Sequence, residues 1–269
     1  MGNFWPDRRC WRAPNSPDVV LFHSRYNWEF IPHTHDAATV LIVTDGAVEV
    51  GVGTQRYITK AGQLAIIGAN QVHSARPAAS DGWEMRSLHL PTSEISRATG
   101  IPIDQCMRMH FTDPVHSMGS LGSMFLDLHR CTESMNTNCG DLHVFVRYLY
   151  DNIEIFGPSI SVENYPAERV IKAKKILTDS VADNIQISEI AEEVGLSVFS
   201  LIRQFEKAFG ISPHAWRIQA RANEAARLLR DHTEAAATAA LCGFSDQSHM
   251  VRIFKRVFGI TPGQYCMLH

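Results

Sequence analysis

The chain has 269 residues, of which 45% are hydrophobic and 20% are charged, and its formal net charge is −3. This length allows two domains, and the composition is that of an ordinary globular protein. No run of about 18 apolar residues occurs and the N-terminus lacks the apolar stretch of a signal peptide, so no membrane span and no export are expected. The six cysteines are scattered without a C-x-x-C pair, which predicts reduced thiols in a cytoplasmic protein.

The charge differs between the two ends of the chain. Residues 1–166 carry 12 basic and 17 acidic side chains, a balance of −5, whereas residues 167–269 carry 13 and 11, a balance of +2. A weakly basic C-terminal part is compatible with double-stranded DNA as a partner. Because the excess is small, we expect only a moderate salt dependence of binding.

Residues 19–90 show the pattern of β-strands. Short apolar runs with period-two alternation follow one another at about ten-residue spacing, separated by turns that contain glycine. The clearest runs are residues 40–43, which end at Thr44-Asp45-Gly46, and residues 83–90. Short strands at this spacing are typical of a sandwich or a barrel.

Two histidine-containing motifs lie among these strands. They read Pro32-His33-Thr34-His35-Asp36 and Gln71-Val72-His73, and with Gly46 and Gly62 they resemble a cupin, a small jelly-roll barrel. The resemblance covers about residues 20–90 and implies a cupin-like barrel over 1–110. In the enzymes of that family two histidines of an H-x-H, a following Glu and a later histidine bind a metal ion.

The match to that metal site is incomplete. His33, His35 and His73 stand at the three histidine positions, but residues 36–40 contain no Glu. Three imidazoles could hold Zn²⁺ or Fe²⁺ with an open position, or could instead hydrogen-bond a ligand or one another. Because a lost ligand weakens binding, we expect no cofactor and at most substoichiometric metal.

The period changes to a helical one in residues 111–156. Met118, Leu121, Phe125 and Leu128 recur at helical spacing, as do apolar residues between 142 and 153. The pattern predicts an αα-hairpin, which could pair with a second copy or pack on its own barrel. Residues 157–166, with two prolines, predict a linker.

Residues 188–209 have the pattern of a helix-turn-helix. Ser188 can cap a first helix, Gly195 can end it where positive φ is needed, and Ser197 can cap a second helix. Leu201 and Phe205 would form the buried face of that second helix. Two short helices joined by such a turn place the second one in the DNA major groove.

The pattern then occurs a second time. Gly243 repeats Gly195 48 positions later, whereas FKRVFGITP at 254–262 repeats FEKAFGISP at 205–213 49 positions later. One extra residue therefore belongs to the second turn or to the start of the helix after it. Internal repeats of this kind predict a DNA reader with two recognition helices.

These residues carry a resemblance to a known family. The stretches IAEEVGLSVFSLIRQFEKAFGISPHAW and AALCGFSDQSHMVRIFKRVFGITPGQY resemble the AraC type of bacterial transcription regulator, over about residues 167–269. The resemblance implies seven helices there, including a long joining helix over 213–230. It also implies an α+β two-domain regulator, an activator or a repressor, with RNA polymerase as a partner, a barrel that senses a small-molecule effector and a homodimer formed through 111–156.

The resemblance also indicates which side chains contact each ligand. The family uses the positions of Phe199, Ile202 and Arg203 to contact bases. In the second unit Met250 and Phe254 would point inward, which turns other side chains toward DNA. The second set comprises Gln247, Ser248, His249, Val251 and Arg252 as candidates for bases, and Lys255 and Arg256 for phosphates.

For the effector, Trp28, His33, His35 and His73, with Arg25 as a further candidate, suggest a polar or anionic small molecule. Two alternatives stay open at this point. One is a metal-dependent cupin enzyme fused to a DNA-binding domain, although we expect no enzyme. The other is a DNA-binding protein that responds to no ligand.

Overall fold

The computed structural model of the protein describes residues 9–35, 37–53, 55–107, 110–111, 115–117, 119–134, 140–153, 155–156 and 167–267. The chain divides into two compact units, an N-terminal one of residues 1–29 and 34–159 and a C-terminal one of residues 160–268 together with residues 30–33. The predicted linker 157–166 lies outside the described residues. No helix within the described ranges is long and apolar enough to cross a bilayer.

Most of the N-terminal unit is a β-sheet whose centre is one long strand. Strand β4 has 16 residues, and its first half pairs antiparallel with β6 and β8, while residues 47–52 pair with β5 and β7. Strand β3 pairs with β7, and β1 pairs with β2. The strands before the first helix are β1 Arg9–Ala13, β2 Ser16–Tyr26, β3 Phe30–His33, β4 Ala37–Val52, β5 Gln55–Lys60, β6 Gln63–Ile67, β7 His73–Pro77 and β8 Trp83–Pro91.

Side chains from one face of these strands pack together to form the core. In β4 the side chains of Val40 and Ile42 are fully buried, and on the neighbouring strands Leu64, Ile66 and Leu88 lie in the same apolar cluster. Burying such a side chain stabilises the fold by about 1.5–3 kcal/mol. The period-two pattern therefore predicts the sheet correctly, and the sheet-rich, cupin-like domain expected from the sequence is confirmed.

The second half of the N-terminal unit contains the two expected helices together with short strands. Helix α3 spans Gly119–Glu133 and α4 spans Leu142–Asn152. Their buried side chains, among them Phe125 and Phe145, belong to the core cluster of the sheet. The hairpin thus packs on its own sheet. The other elements are α1 Thr92–Thr99, α2 Ile103–Cys106, β9 His110–Phe111, β10 Val115–Ser117, which pairs with β6, and β11 Ile155–Phe156, which pairs with β9.

The C-terminal unit is helical, and its long helix α8 is central. Helix α8 packs against α5, α7, α9, α10 and α11. The seven helices described in residues 167–267 agree with the number that the family resemblance implies. They are α5 Glu168–Asp179, α6 Ile187–Glu193, α7 Val198–Phe209, α8 Pro213–Arg230, α9 Ala235–Leu241, α10 Gln247–Phe258 and α11 Pro262–Cys266.

Two expectations are wrong in detail. Helix α6 begins at Ile187, so Ser188 lies inside it; the carboxylate of Glu189 accepts from the backbone N–H of Gln186 at 2.6 Å and fixes the start earlier. Cys131 is disulfide-bonded, whereas Cys106, Cys242 and Cys266 are free thiols. A search for C-x-x-C could not detect this bond, because disulfide pairing depends on how the chain folds back.

Candidate functional sites

The turn of each helix-turn-helix unit contains one residue in the left-handed backbone region, and in both turns that residue is glycine. Gly195 has φ +67° and Gly243 has φ +72°, a region that costs other residues about 1–2 kcal/mol. A Cβ on Gly243 would lie 2.8 Å from the carbonyl oxygen of Ala182 and 2.9 Å from that of Val181. At Gly195 the nearest atom would be a guanidinium nitrogen of Arg169, 3.7 Å away.

The two recognition helices, α7 and α10, begin with side-chain caps. The Ser197 hydroxyl accepts from the Ser200 N–H at 3.2 Å, and the Asp246 carboxylate accepts from the His249 N–H at 2.7 Å. That backbone hydrogen bond is the main cause that lowers the pKa of Asp246 below its ordinary value. The first helix of each unit repeats after 48 positions (187 to 235) and the second after 49 (198 to 247), so the extra residue lies in the second turn.

Helix α7 separates a buried face from an exposed one as predicted. The side chains of Leu201 and Phe205 are completely buried. On the other side Phe199 is 75% exposed, which is unusual for a phenyl ring, and Arg203 is exposed. Ile202 is half-buried, so only part of its side chain is available to a ligand.

Helix α10 repeats this arrangement with a stronger positive charge. Met250 and Phe254 are fully buried, as expected. The imidazole of His249 is half-buried, lies edge-on against Phe244 with ring centroids 5.5 Å apart, and shares a 3.1 Å hydrogen bond with Ser245. These contacts give His249 a structural role in the turn. Val251 is also half-buried, and the exposed candidates are Gln247, Ser248, Arg252, Lys255 and Arg256.

The three histidines predicted for the sheet domain come together. Each of His33, His35 and His73 offers a ring nitrogen, these nitrogens all lie within 4.8 Å of one another, and each residue is less than 9% exposed. Each Nδ1 contacts a backbone carbonyl oxygen, at 2.8, 2.7 and 2.9 Å respectively. Because a carbonyl only accepts, each Nδ1 must carry the proton. Burial lowers the pKa of His33, which favours its neutral form.

The surroundings of this histidine cluster include residues that the sequence did not single out. The Thr39 hydroxyl donates to Nε2 of His35 at 3.2 Å, and the ring of His89 lies 5.0 Å from that of His35. Thr39 on β4 lies opposite His89 on β8. This register between the two strands is visible in the structure but not in the sequence. The other two effector candidates from the sequence have different neighbours: the ring of Trp28, which is 37% exposed, lies edge-on to Tyr26, and Arg25 pairs with Asp45 at 2.8 Å.

A second polar cluster joins β2 and β8 to helix α3. Arg86 donates to the Glu133 carboxylate at 2.6 Å and to Nδ1 of the buried His129 at 2.9 Å. Nε2 of His129 lies 3.1 Å from the carbonyl oxygen of Phe22. Burial, aided by the guanidinium of Arg86, lowers the pKa of His129 from 6.5 to about 3. Such a network fixes the position of α3 on the sheet.

Comparison with known proteins agrees with both halves of this description. Residues 16–141 match the model of an AraC-like ligand binding domain, and residues 190–266 match that of a helix-turn-helix domain. The chain belongs to the AraC-type transcription regulators. As a member of that family it joins an N-terminal ligand-binding domain to a C-terminal DNA-binding domain.

Relatives of this AraC-type regulator are themselves regulators. The transcriptional regulator YbfI of Bacillus subtilis is 25% identical over 224 residues, 82% of each chain. The transcriptional activator NphR of a Rhodococcus species is 23% identical over 244 residues, 86% of this chain and 70% of its own. The crystal structure of ToxT from Vibrio cholerae is similar in fold, with a TM-score of 0.58 and 12% identity over 96% of both chains.

Proposed function

We propose that this AraC-type regulator reads DNA bases with one arginine of each recognition helix. Arg203 and Arg252 both stand six residues after the N-cap of their helix, and both are exposed. This equivalence is the observation on which the proposal depends. A guanidinium can donate two hydrogen bonds to guanine, one to O6 and one to N7. No other base presents this pair of acceptors in the major groove.

The neighbouring side chains have different tasks. Phe199, exposed on the same helix as Arg203, would make apolar contacts with thymine methyl groups or sugars. Lys255 and Arg256 lie in the last turns of α10, where cations also interact favourably with the helix dipole. Glu206 stands in α7 at the position of Lys255 in α10, so we expect the second unit to supply more of the phosphate attraction.

Selection of bound sequences from a random DNA pool tests the assignment. Two recognition helices should produce a site with two halves about 10 base pairs apart. Arg203→Ala should cost about 1–3 kcal/mol and relax the preference at one or two base pairs of one half, and Arg252→Ala should do so in the other half. Lys255→Ala should weaken all sequences alike and reduce the salt slope by about one.

Arg227→Ala is the matched control. This arginine is on α8 and not on a recognition helix, and its guanidinium already pairs with Glu224 and Asp231 at 2.6 and 3.0 Å. Its removal should leave sequence preference unchanged. If Arg203→Ala and Arg252→Ala lose affinity but retain the wild-type preference, the arginines contact phosphates only and the base-reading assignment is wrong.

The N-terminal unit would bind a polar or anionic effector around His33, His35 and His73. Effector binding would shift the population of arrangements in which the regulator occupies its operator and contacts RNA polymerase. We place the protein in the cytoplasm as a homodimer formed through α3 and α4, where Val144 is a large apolar side chain that is 55% exposed. We propose no enzymatic activity, because the relatives are regulators and residues 36–40, where metal-binding cupin enzymes carry Glu, contain none.

A further inference from the structure

One buried arginine of the long helix α8 holds the segment that leads into the first helix-turn-helix unit. Arg221 is only 7% exposed. Its Nε donates to the carbonyl oxygen of Val181 at 2.8 Å, and its Nη2 donates to the carbonyl oxygen of Asp183 at 3.2 Å and to the side-chain oxygen of Asn184 at 3.1 Å. All three acceptors lie in residues 180–186, which join α5 to α6. Arg221 therefore attaches the entrance of the first unit to α8.

The same segment lies against the turn of the second unit. A Cβ on Gly243 would lie 2.8 Å from the carbonyl oxygen of Ala182 and 2.9 Å from Nη2 of Arg221. Because glycine has no side chain, the segment, the guanidinium and the second turn can approach one another this closely. One guanidinium thus contacts the connecting segment of the first unit and the turn of the second.

The chemistry of this contact requires an arginine. A guanidinium is planar and directs its donors in fixed directions, whereas the ammonium of lysine is a point charge on a flexible stem. A buried cation is costly in free energy unless its donors find acceptors, and here the segment supplies them. Arg217, one turn earlier on α8, adds a hydrogen bond from its Nη1 to the carbonyl oxygen of Ile185 in the same segment.

We propose that Arg221 is a positioning residue that fixes the distance between the recognition helices α7 and α10 and thereby restricts the spacing of the two half-sites. Without its guanidinium, residues 180–186 lose their attachment to α8 beside the second turn, so the first unit gains freedom relative to the second. A satisfied polar network of this kind rigidifies the structure around it. The effect on half-sites depends on the proposed function, whereas the fixed distance is a property of the protein alone.

Double electron–electron resonance on the full-length chain, without DNA, measures the distance between the two helices. Lys207 and Arg256, which are exposed and stand 49 positions apart in the two repeats, are each replaced by p-acetylphenylalanine, whose ketone takes a nitroxide and leaves the native cysteines unchanged. The labelled chain is diluted with unlabelled chain so that only distances within one molecule count. The parent should give one narrow distribution.

Arg221→Gln should broaden that distribution by about twofold or more, because the network that rigidifies the two units is lost. Arg221→Lys retains the charge but not the planar fork, so it should broaden the distribution as well. Arg227→Gln is the matched control, since it removes an exposed guanidinium from the same helix, and it should leave the width unchanged.

Selection from a random DNA pool, with unlabelled chains, tests the consequence for binding. The wild type should enrich one spacing of its two half-sites. Arg221→Gln should retain both half-site sequences, because Arg203 and Arg252 are intact, but should also enrich spacings about one base pair longer or shorter. Its affinity for the original spacing should fall about 10-fold, because a smaller fraction of molecules has the competent arrangement.

An unchanged width of the distance distribution in Arg221→Gln would overturn the proposal, and so would equal broadening in Arg227→Gln. If circular dichroism shows that Arg221→Gln is unfolded, Asn184→Ala decides. It removes one acceptor of the guanidinium from an exposed position and should broaden the distribution to a smaller extent, and an unchanged width would then refute the role of Arg221. If the distances behave as expected but the wild type selects no site with two halves, the proposed function fails while the fixed distance stands.

Discussion

The two turn glycines should respond very differently to the same substitution. Gly195→Ala should cost about 1–2 kcal/mol, because alanine must adopt φ +67° but its Cβ meets only ordinary contacts with Arg169. Gly243→Ala carries the same backbone cost and also forces its Cβ against two carbonyl oxygens, at 2.8 and 2.9 Å. Overpacking of this kind adds about 1–3 kcal/mol, which brings the expected loss to about 2–5 kcal/mol.

Amide hydrogen exchange of the full-length chain measures the loss of stability caused by each substitution, and helix α8 can report both. The slowest amides of α8 report the opening of the C-terminal unit, since α8 packs against helices of both helix-turn-helix units. Gly263→Ala is the control, because Gly263 lies in α11 with open space around it and no positive φ, so alanine should be neutral or stabilise by about 0.5–1 kcal/mol. Equal losses for Gly195→Ala and Gly243→Ala would refute the reasoning from carbonyl contacts.

Two further predictions concern the N-terminal unit. The folded-state pKa of His129, about 3, lies below its ordinary 6.5, so the unfolded chain takes up this proton first and stability should fall as the pH drops from about 6.5 to 4.5. The difference in free energy of unfolding between the wild type and His129→Gln should then change by up to about 1.4 kcal/mol per pH unit, as measured by denaturant titrations. A difference that stays constant with pH would contradict this role of His129. A fragment ending at Pro158 should sediment as a dimer at micromolar concentration, and a clean monomer would rule out dimerisation through the N-terminal part.

The helix-turn-helix units were predictable because their determinants are local. Apolar spacing, the cap Ser197 and the turn glycines act within a few residues, so the sequence displays them directly. The one error, the start of α6 at Ser188, came from a competing local device, the Glu189 side chain that reaches back to Gln186.

The surroundings of the histidine cluster were not predictable from the sequence. His89 lies next to His35 only because β4 and β8 pair in one register, and Arg86 reaches Glu133 across 47 positions of chain. Such contacts depend on strand register and on helix placement, which residue spacing along the chain does not encode. The resemblance to cupins supplied His33, His35 and His73, but it could not show that all three rings share one tautomer.

The extra residue in the second turn limits how the two recognition helices can be exchanged in an engineered regulator. Counted from the turn glycines, the residue that matches Arg203 is Val251, whereas counted from the caps it is Arg252. One residue rotates a side chain by about 100° around a helix. A chimaera aligned on the glycines would place a guanidinium at the half-buried position of Val251, while one aligned on Ser197 and Asp246 would keep it in solvent.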